Sequence, residues 1–369
     1  MTVSGPRVAV VGSGIAGAAT AYALARAGAA VTVVESGRAG QATAAGAGII
    51  QPWSSVAEGP FYDLYAAGAA YYPILVDLLA DSGVTDLGYA VSGSLVVDAD
   101  PARLDEAEAR VRARTAGVTV AGSVERLSAA EAAALFPPLA PGLAALLVSG
   151  GARVDGRRLR AGLLTAAERH GATVREGTAR TAGDAAATVL VGDDRIHADA
   201  VVAAAGAWAD ELLTPLGRTI GVEPQRGQIV HLSIPGADTD RWPSVLPAGP
   251  SYLVAFEDGR VVAGATRETG SGFDPRITAG GLQQVLADAL AVAPGLATAT
   301  VLETRVGLRP LPRGGLPVIG AVPDHPGWFV TAGFGAAGLT MGPVAGAALA
   351  GLVLTGSSDL DLTPFAPQP

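Results

Sequence analysis

Short unbroken apolar runs alternate along this chain with longer mixed segments, the arrangement of buried parallel strands joined by crossover helices. Arg7–Val11 (RVAVV) is the first such run. A glycine turn follows, then Ile15–Ala27, rich in Ala and Leu, and a second run, Ala30–Val34 (AVTVV), that ends at Glu35. Strand, turn, helix and strand in about thirty residues make a βαβ unit. The pattern predicts further helices near Phe61–Asp81, over Arg103–Arg114, over Ser128–Leu135 with Pro137 and Pro138 as its stop, over Arg157–His170 capped by Gly171, over Gly281–Ala291 and over Gly338–Leu354. It predicts strands at Gly93–Val97, Val174–Gly177, Ala198–Ala205, Ile229–Leu232, Tyr252–Phe256, Arg260–Ala265 and Trp328–Thr331, with a turn at Asp258-Gly259. Neither a fixed-period repeat nor a flexible linker divides the sequence, which fits two domains threaded through each other.

Composition narrows the chemistry. Of 369 residues, 49% are hydrophobic and 16% charged, which excludes a disordered chain. There is no Cys, so disulfides, thiolate zinc sites, thiol nucleophiles and a cysteinyl-linked cofactor are excluded, and a non-covalently held cofactor is expected. All 25 basic residues are arginine; against 34 acidic ones they leave a net charge of −9 and no traceable basic face, which argues against nucleic-acid binding. The opening residues lack a secretory pattern, and the longest apolar stretch, Pro343–Leu354, falls short of the ~20 residues a spanning helix needs. A cytoplasmic chain with no membrane partner is therefore expected. His170, His197, His231 and His325 show no ligand spacing, so they read as surface or satisfied core residues and no metal is expected. Strings typical of hydrolases, zinc proteases and P-loop kinases are missing.

Gly12-Ser13-Gly14-Ile15-Ala16-Gly17 is a GxGxxG. Alone it is weak in a chain with 50 glycines. Its context strengthens it: a buried-strand pattern precedes it, a helix opens at it, and Glu35 ends the next strand. Gly12 suits a tight turn, Gly14 lets a pyrophosphate approach the main chain, and Gly17 lets helix and strand pack closely. The helix N-terminus adds unpaired N–H groups and positive dipole, and Glu35 would accept from a ribose hydroxyl. This unit alone does not separate FAD from NAD.

Later segments do. QATAAGAGIIQPW from Gln41, AAGAWADEL (Ala204–Leu212), PQRGQ (Pro224–Gln228), GLRPLPRGGLPVIG (Gly307–Gly320) and GFGAAGLTMGP (Gly333–Pro343) stand in an order and spacing that resembles the D-amino acid oxidase and glycine oxidase family of FAD-dependent oxidoreductases. The resemblance spans nearly the whole chain. It implies an α/β fold in which a Rossmann-like FAD domain (residues 1–85, 150–225 and 303–369) interleaves with an antiparallel-sheet substrate domain (86–149 and 226–302). Carried over by position, Gly12, Ser13, Gly14, Ile15 and Ala16 line the pyrophosphate, Glu35 holds the ribose, and Arg38 adds phosphate or adenosine contacts. Thr43 and Ala44 lie along the ribityl chain, and Gly46, Ala47, Gly48 and Ile49 pass beside the flavin ring. Val174 matches the position whose backbone holds adenine, though a buried strand valine needs no ligand to explain it. Gly335, Ala337, Gly338, Leu339 and Thr340 present a helix end to the flavin N1–C2=O edge.

At the substrate end the resemblance assigns Arg309 of GLRP to a bidentate pair with an α-carboxylate, a two-point grip that Lys would not provide. Tyr252 adds a second bond to that carboxylate. Ile49, Gln51 and Trp53 either shape the pocket or, for Trp53, belong to the core. The expected activity is oxidation of the Cα–N bond of a small amine or amino acid: hydride passes to flavin N5, an imine forms, and oxygen is the acceptor. The alternatives are a dehydrogenase with a quinone or protein acceptor, or a flavin-binding subunit of a larger assembly. The sequence leaves the amine, its stereochemistry and a possible homo-oligomer open; Arg305-Val306 replaces the aromatic residue relatives often carry before GLRP, and no Lys is present to activate oxygen.

Overall fold

The computed structural model describes residues 5–182 and 187–368 and contains two large sheets. The first has six strands in the order Val318–Ala321, Trp328–Ala332, Ala200–Ala203, Arg7–Val11, Ala30–Glu35 and Thr173–Glu176, all neighbours parallel except the first pair. Side chains alternate across it. Val8, Val10, Val31, Val33 and Val202 pack under the helices Ile15–Arg26, Gly59–Asp81, Gly156–Arg169 and Gly338–Thr355, whereas Ala9, Val11, Val34, Val201 and Ala203 pack under Leu212, Leu213 and a small three-stranded sheet. Burial on both faces is why these strands read as continuous apolar runs.

The last helix is apolar on all sides because it is packed on several. With the turn before it, it forms a 21-residue span, Gly335–Thr355, longer than the stretch expected from the sequence and long enough to cross a bilayer; 56% of its most apolar window is buried within the protein. It lies close to the first helix, where a Cβ at Gly346 would stand 2.7 Å from the Thr20 amide nitrogen.

The second sheet has eight strands in the order Thr300–Pro312, Val222–Ser233, Arg260–Gly264, Tyr252–Ala255, Ser244–Pro247, Ser94–Asp98, Ala144–Val148 and Val124–Leu127. All neighbours are antiparallel except Ser244–Pro247 beside Ser94–Asp98. The Asp258-Gly259 turn joins two of them with positive φ at both residues, as a tight hairpin requires. One face is covered by the helices Ala129–Leu135 and Ala279–Val292; the other carries Ile229, Val254, Phe256 and Val262 against Ala47, Ile49 and Tyr252.

One strand, Val222–Ser233, is much longer than the Ile229–Leu232 expected, and another, Thr300–Pro312, was not expected at all. Val222–Ser233 and Thr300–Pro312 pair from Val222↔Pro312 to Ser233↔Thr300, with a bulge between His231 and Leu232. The domain limits expected at 225/226 and 302/303 fall inside these strands. We keep the interleaved two-domain division as a proposal, with both crossings made along this ladder.

His231 on that ladder is not the satisfied core histidine expected. It is buried, and neither ring nitrogen has a partner among the described residues. Burial, reinforced by Arg305 and Arg260 against Glu303 and Asp155, lowers its pKa from 6.5 to about 4. In the folded state His231 therefore stays neutral over a range where the unfolded chain takes up a proton, so stability present above pH 6.5 is lost as pH falls toward about 4. We expect urea midpoints to drop between pH 7 and pH 4.5, and the drop to shrink in His231→Phe; parallel drops in both proteins would refute this assignment.

Candidate active site

One cleft of about 1300 Å³ runs from the GxGxxG loop to the inner face of the second sheet. It exceeds the about 300–1,000 Å³ usual for sites that take one drug-sized ligand. At one end Gly12, Ser13, Gly14, Ile15 and Ala16 line it. Gly12 has φ +99°, and a Cβ there would overlap the Ala204 carbonyl. A Cβ on Gly14 would meet only Thr43 Oγ1, at 3.5 Å, so this side of the loop opens into the cleft. The helix Ile15–Arg26 has no N-cap side-chain bond and no acidic residue in its first turn; the Ile15 amide donates to Thr43 Oγ1 at 2.9 Å, and no carboxylate answers the positive end, which suits an anion.

Glu35 closes this end. Its carboxylate accepts from the Ser13 amide (3.1 Å), the Gly37 amide (2.8 Å), Gln41 Nε2 (2.8 Å) and the Ser13 hydroxyl. Arg160, from the helix Gly156–Arg169, holds the same corner by donating to the Ser13 carbonyl at 2.6 Å. Burial raises the Glu35 pKa, but the hydrogen bonds from Ser13 and Gly37 and the charge of Arg160 outweigh it and leave the carboxyl below its usual range. It remains an ionised acceptor.

Thr43, Gly46, Ala47, Gly48 and Ile49 line the middle of the cleft, opposite Gly335, Gly338, Leu339 and Thr340 at the start of the last helix. Thr340 Oγ1 donates to the Ile49 carbonyl at 3.0 Å and ties the two walls together. Gly48 answers to the protein as well as to any ligand: its φ is +78°, and a Cβ would overlap the Val154 carbonyl. Three buried polar atoms on cleft-lining residues have no partner among the described residues, namely Gln51 Nε2, Thr181 Oγ1 and Thr331 Oγ1. Leaving a buried polar group unpaired costs about 1–3 kcal/mol, so these atoms fit a bound polar molecule. Bare loop, free helix end, ionised Glu35 and orphan donors together suit a dinucleotide.

Four expected contacts sit differently. Val174 lies off the cleft, on an edge strand where it pairs with Val33 and is 39% exposed; Gly177, Thr178, Ala179, Arg180 and Thr181, just beyond that strand, line the cleft instead. Arg38 reaches the cleft, but both its terminal nitrogens bond Glu211 at 2.6 Å, so its guanidinium is not free for phosphate. Ala44 and Ala337 are not on the cleft surface, and the Ala44 carbonyl accepts from Arg157 at 3.2 Å.

At the other end stand Arg309 and Tyr252. Arg309 donates from Nη1 to the Thr266 carbonyl at 2.9 Å, and it forms no ion pair among the described residues. Burial lowers its pKa, the neighbouring Tyr252 raises it, and Arg267 lowers it further. Burial raises the Tyr252 pKa against the pull of Arg309 and Arg267, so its hydroxyl keeps its proton and can donate. Two glycines make room for the pair. A Cβ on Gly227 would lie 2.5 Å from Arg309 Cζ, and one on Gly264, the strand partner of Tyr252, would lie 2.6 Å from the Tyr252 hydroxyl. Beneath them Glu268 accepts from Arg226 Nη2 (2.7 Å), Gln228 Nε2 (2.7 Å) and Thr266 Oγ1 (2.7 Å), which fixes the segment whose carbonyl holds Arg309. Sequence reasoning missed Arg160, Gly264, Arg267 and this network; the PQRGQ string was the only trace of Gly227 and Arg226.

A parallel-stranded dinucleotide unit that shares a cleft with a second sheet bearing a half-buried arginine with no paired carboxylate suits a nucleotide-cofactor oxidoreductase. The FAD dependent oxidoreductase (DAO) family model matches residues 7–352, and the chain belongs to that family. It is 47% identical to the uncharacterized oxidoreductase YurR of Bacillus subtilis, over 97% of both chains, and 32% identical to a glycine oxidase of Pseudomonas putida, over 98% of both. Among solved structures it resembles iminodiacetate oxidase from Chelativorans sp. BNC1 (48% identity, TM-score 0.95, 98% of this chain and 99% of that one). It also resembles glycine oxidase from Geobacillus kaustophilus (28% identity, TM-score 0.85, 98% and 99%). The cofactor is thus FAD, and NAD is set aside.

Gly227→Ala tests the substrate end without touching the cofactor loop. Because the new methyl group displaces the Arg309 guanidinium, we expect KM for a carboxylated substrate to rise about 10-fold, about 1.4 kcal/mol, with the flavin absorbance unchanged. An unaltered KM would remove Gly227 from the site.

Proposed function

We propose that the protein is an FAD-dependent oxidase of small amino acids or N-substituted amino acids, working in the cytoplasm with molecular oxygen as acceptor. The observation that carries this reading is Arg309: a guanidinium at the inner end of the cleft, held by the Thr266 carbonyl and by a protonated Tyr252, with no carboxylate paired to it among the described residues. Such a group suits a ligand carboxylate, gripped at two points by the guanidinium and at a third by the phenol. Relatives named glycine oxidase and iminodiacetate oxidase support the substrate class.

When bound, FAD supplies the hydride acceptor at its N5 atom. The chain's share is placement. Arg309 and Tyr252 fix the carboxylate, and with it the Cα–H bond one atom away. The Glu268 network keeps Arg309 from swinging, so little orientational freedom remains to be lost in the reaction. An amine that arrives deprotonated supplies its own electron pair, so no side-chain base is required. With Cα so placed, the Cα–H hydride would pass to the bound cofactor while the amine gives up an N–H proton, and the resulting imine would be hydrolysed by water to a 2-oxo acid and the free amine or ammonia. Oxygen takes up the two electrons and two protons as hydrogen peroxide.

Arg309→Leu removes the two-point grip. We expect KM for glycine-type substrates to rise about 100-fold, on the scale of about 3 kcal/mol for a charge-assisted bidentate pair, with partial recovery in Arg309→Lys. Oxygen-electrode traces check both this and the acceptor: peroxide should form in step with substrate loss, whereas turnover with dyes alone would replace oxygen by another acceptor.

A further inference from the structure

Phe273 makes an aromatic contact that the substrate end of the cleft does not call for. It lies in the segment 265–278, between the strand Arg260–Gly264 of the second sheet and the helix Ala279–Val292, and is 48% exposed. Its ring stacks on Trp208, with centroids 5.6 Å apart and planes 21° from parallel. Trp208 belongs to the other half of the molecule: it follows the parallel strand Ala200–Ala203 and lines the cleft together with Arg38 and Glu211. The Arg38 guanidinium, held by Glu211, stands 5.6 Å from the centre of the same indole ring. Arg38 thus supports Trp208 at the end of the cleft that holds Glu35, rather than meeting a phosphate itself.

The loop that carries Phe273 is pinned at this crossing from both sides. Arg226 Nη1 donates to Asp274 Oδ2 at 3.0 Å, and the Arg226 amide donates to Ser271 Oγ at 3.3 Å, which ties the loop to the long ladder. Pro275 reaches the cofactor side, where a Cβ on Gly40 would lie 3.0 Å from both Pro275 Cβ and Leu308 Cγ. The residue after Gly40, Gln41, donates to Glu35 at 2.8 Å. We propose that Trp208 walls the site for the adenosine half of FAD and that Phe273 is its positioning residue, a clasp by which a loop of the second sheet retains the cofactor. Phe273 is not on the cleft surface, so it acts through Trp208. The same loop begins beside Thr266, whose carbonyl holds Arg309, so one segment serves both ends of the cleft. Only the presence of FAD is required; neither the amine nor the electron acceptor enters.

The test follows FAD leaving the diluted holoenzyme, by the rise in flavin fluorescence, in wild type and in Phe273→Ala, Phe273→Leu and Phe273→Tyr. The half-exposed position tolerates these changes without loss of the fold. Release should be about 10-fold faster in Phe273→Ala and about as fast in Phe273→Leu, which keeps apolar bulk without a ring, but within about 2-fold of wild type in Phe273→Tyr. The visible flavin spectrum of each loaded variant should not shift, because the ring system lies at the other end of the molecule. ADP, which shares adenosine and diphosphate with FAD but has no flavin, locates the lost contact. Against saturating FAD, the ADP concentration that releases half of the cofactor should stay within about 3-fold of wild type in Phe273→Ala, since both ligands lose the same contact. A fall of about 10-fold in that concentration would put the loss at the flavin end and overturn the assignment. So would release from Phe273→Ala or Phe273→Leu at the wild-type rate, or failure of ADP to displace FAD from the wild type. No turnover is measured, so each of these outcomes leaves the oxidase reading to the oxygen electrode.

Discussion

The ladder between Val222–Ser233 and Thr300–Pro312 is the constraint on which the rest of the molecule depends. Its twelve paired positions carry the chain between the two sheets twice, in opposite directions. Near one end it docks on the cofactor side, where the Leu308 amide donates to the Gly40 carbonyl at 2.8 Å. Toward the other it is backed by the helix Ala279–Val292 through Val230, Leu232, Val285 and Ala289. Arg309 opposite Gln225 and Gly227 opposite Gly307 are register partners in this pairing. A one-residue slip would turn every side chain to the wrong face, so the same hydrogen bonds that pair these strands also aim Arg309.

Much of the cofactor half was legible in the sequence, because its signals are local. RVAVV, the GxGxxG turn and AVTVV each read correctly from a few adjacent residues, as did the hairpin at Asp258-Gly259. The long strand Thr300–Pro312 was not, since Glu303, Thr304 and Arg305 break any apolar run on a strand that has another strand on one side only. Val174 misled for a related reason: an apolar residue on a short strand reads as buried, yet its strand is the sheet edge and its side chain faces outward. The GLRP string placed Arg309, but Arg267 sits in a segment with no motif, and only the folded chain brings it to the same end of the cleft. Gly264 is likewise one glycine among 50 until its register beside Tyr252 is known.

Charge in this protein is distributed by pairing rather than by patches. Arg226 is held by Glu268 and Asp274, Arg260 by Asp155, and Arg160 stands beside Glu35. Arg309, at the inner end of the cleft, is held by a carbonyl and a phenol and by no carboxylate among the described residues. Buried or confined charge without a counter-ion is costly, and a fold that keeps it there sets that cost aside for a ligand that removes it.

The cleft is continuous, and that has a thermodynamic consequence. Gly46, Ile49 and Thr340 line the cleft along with both the GxGxxG loop and Arg309, so a cofactor and a substrate seated at its two ends would share these walls. Whatever free energy the first molecule contributes to the affinity of the second must be returned in equal measure in the opposite direction. A tight substrate mimic should therefore slow escape of the prosthetic group and raise the melting temperature of the loaded protein beyond what either occupant achieves alone.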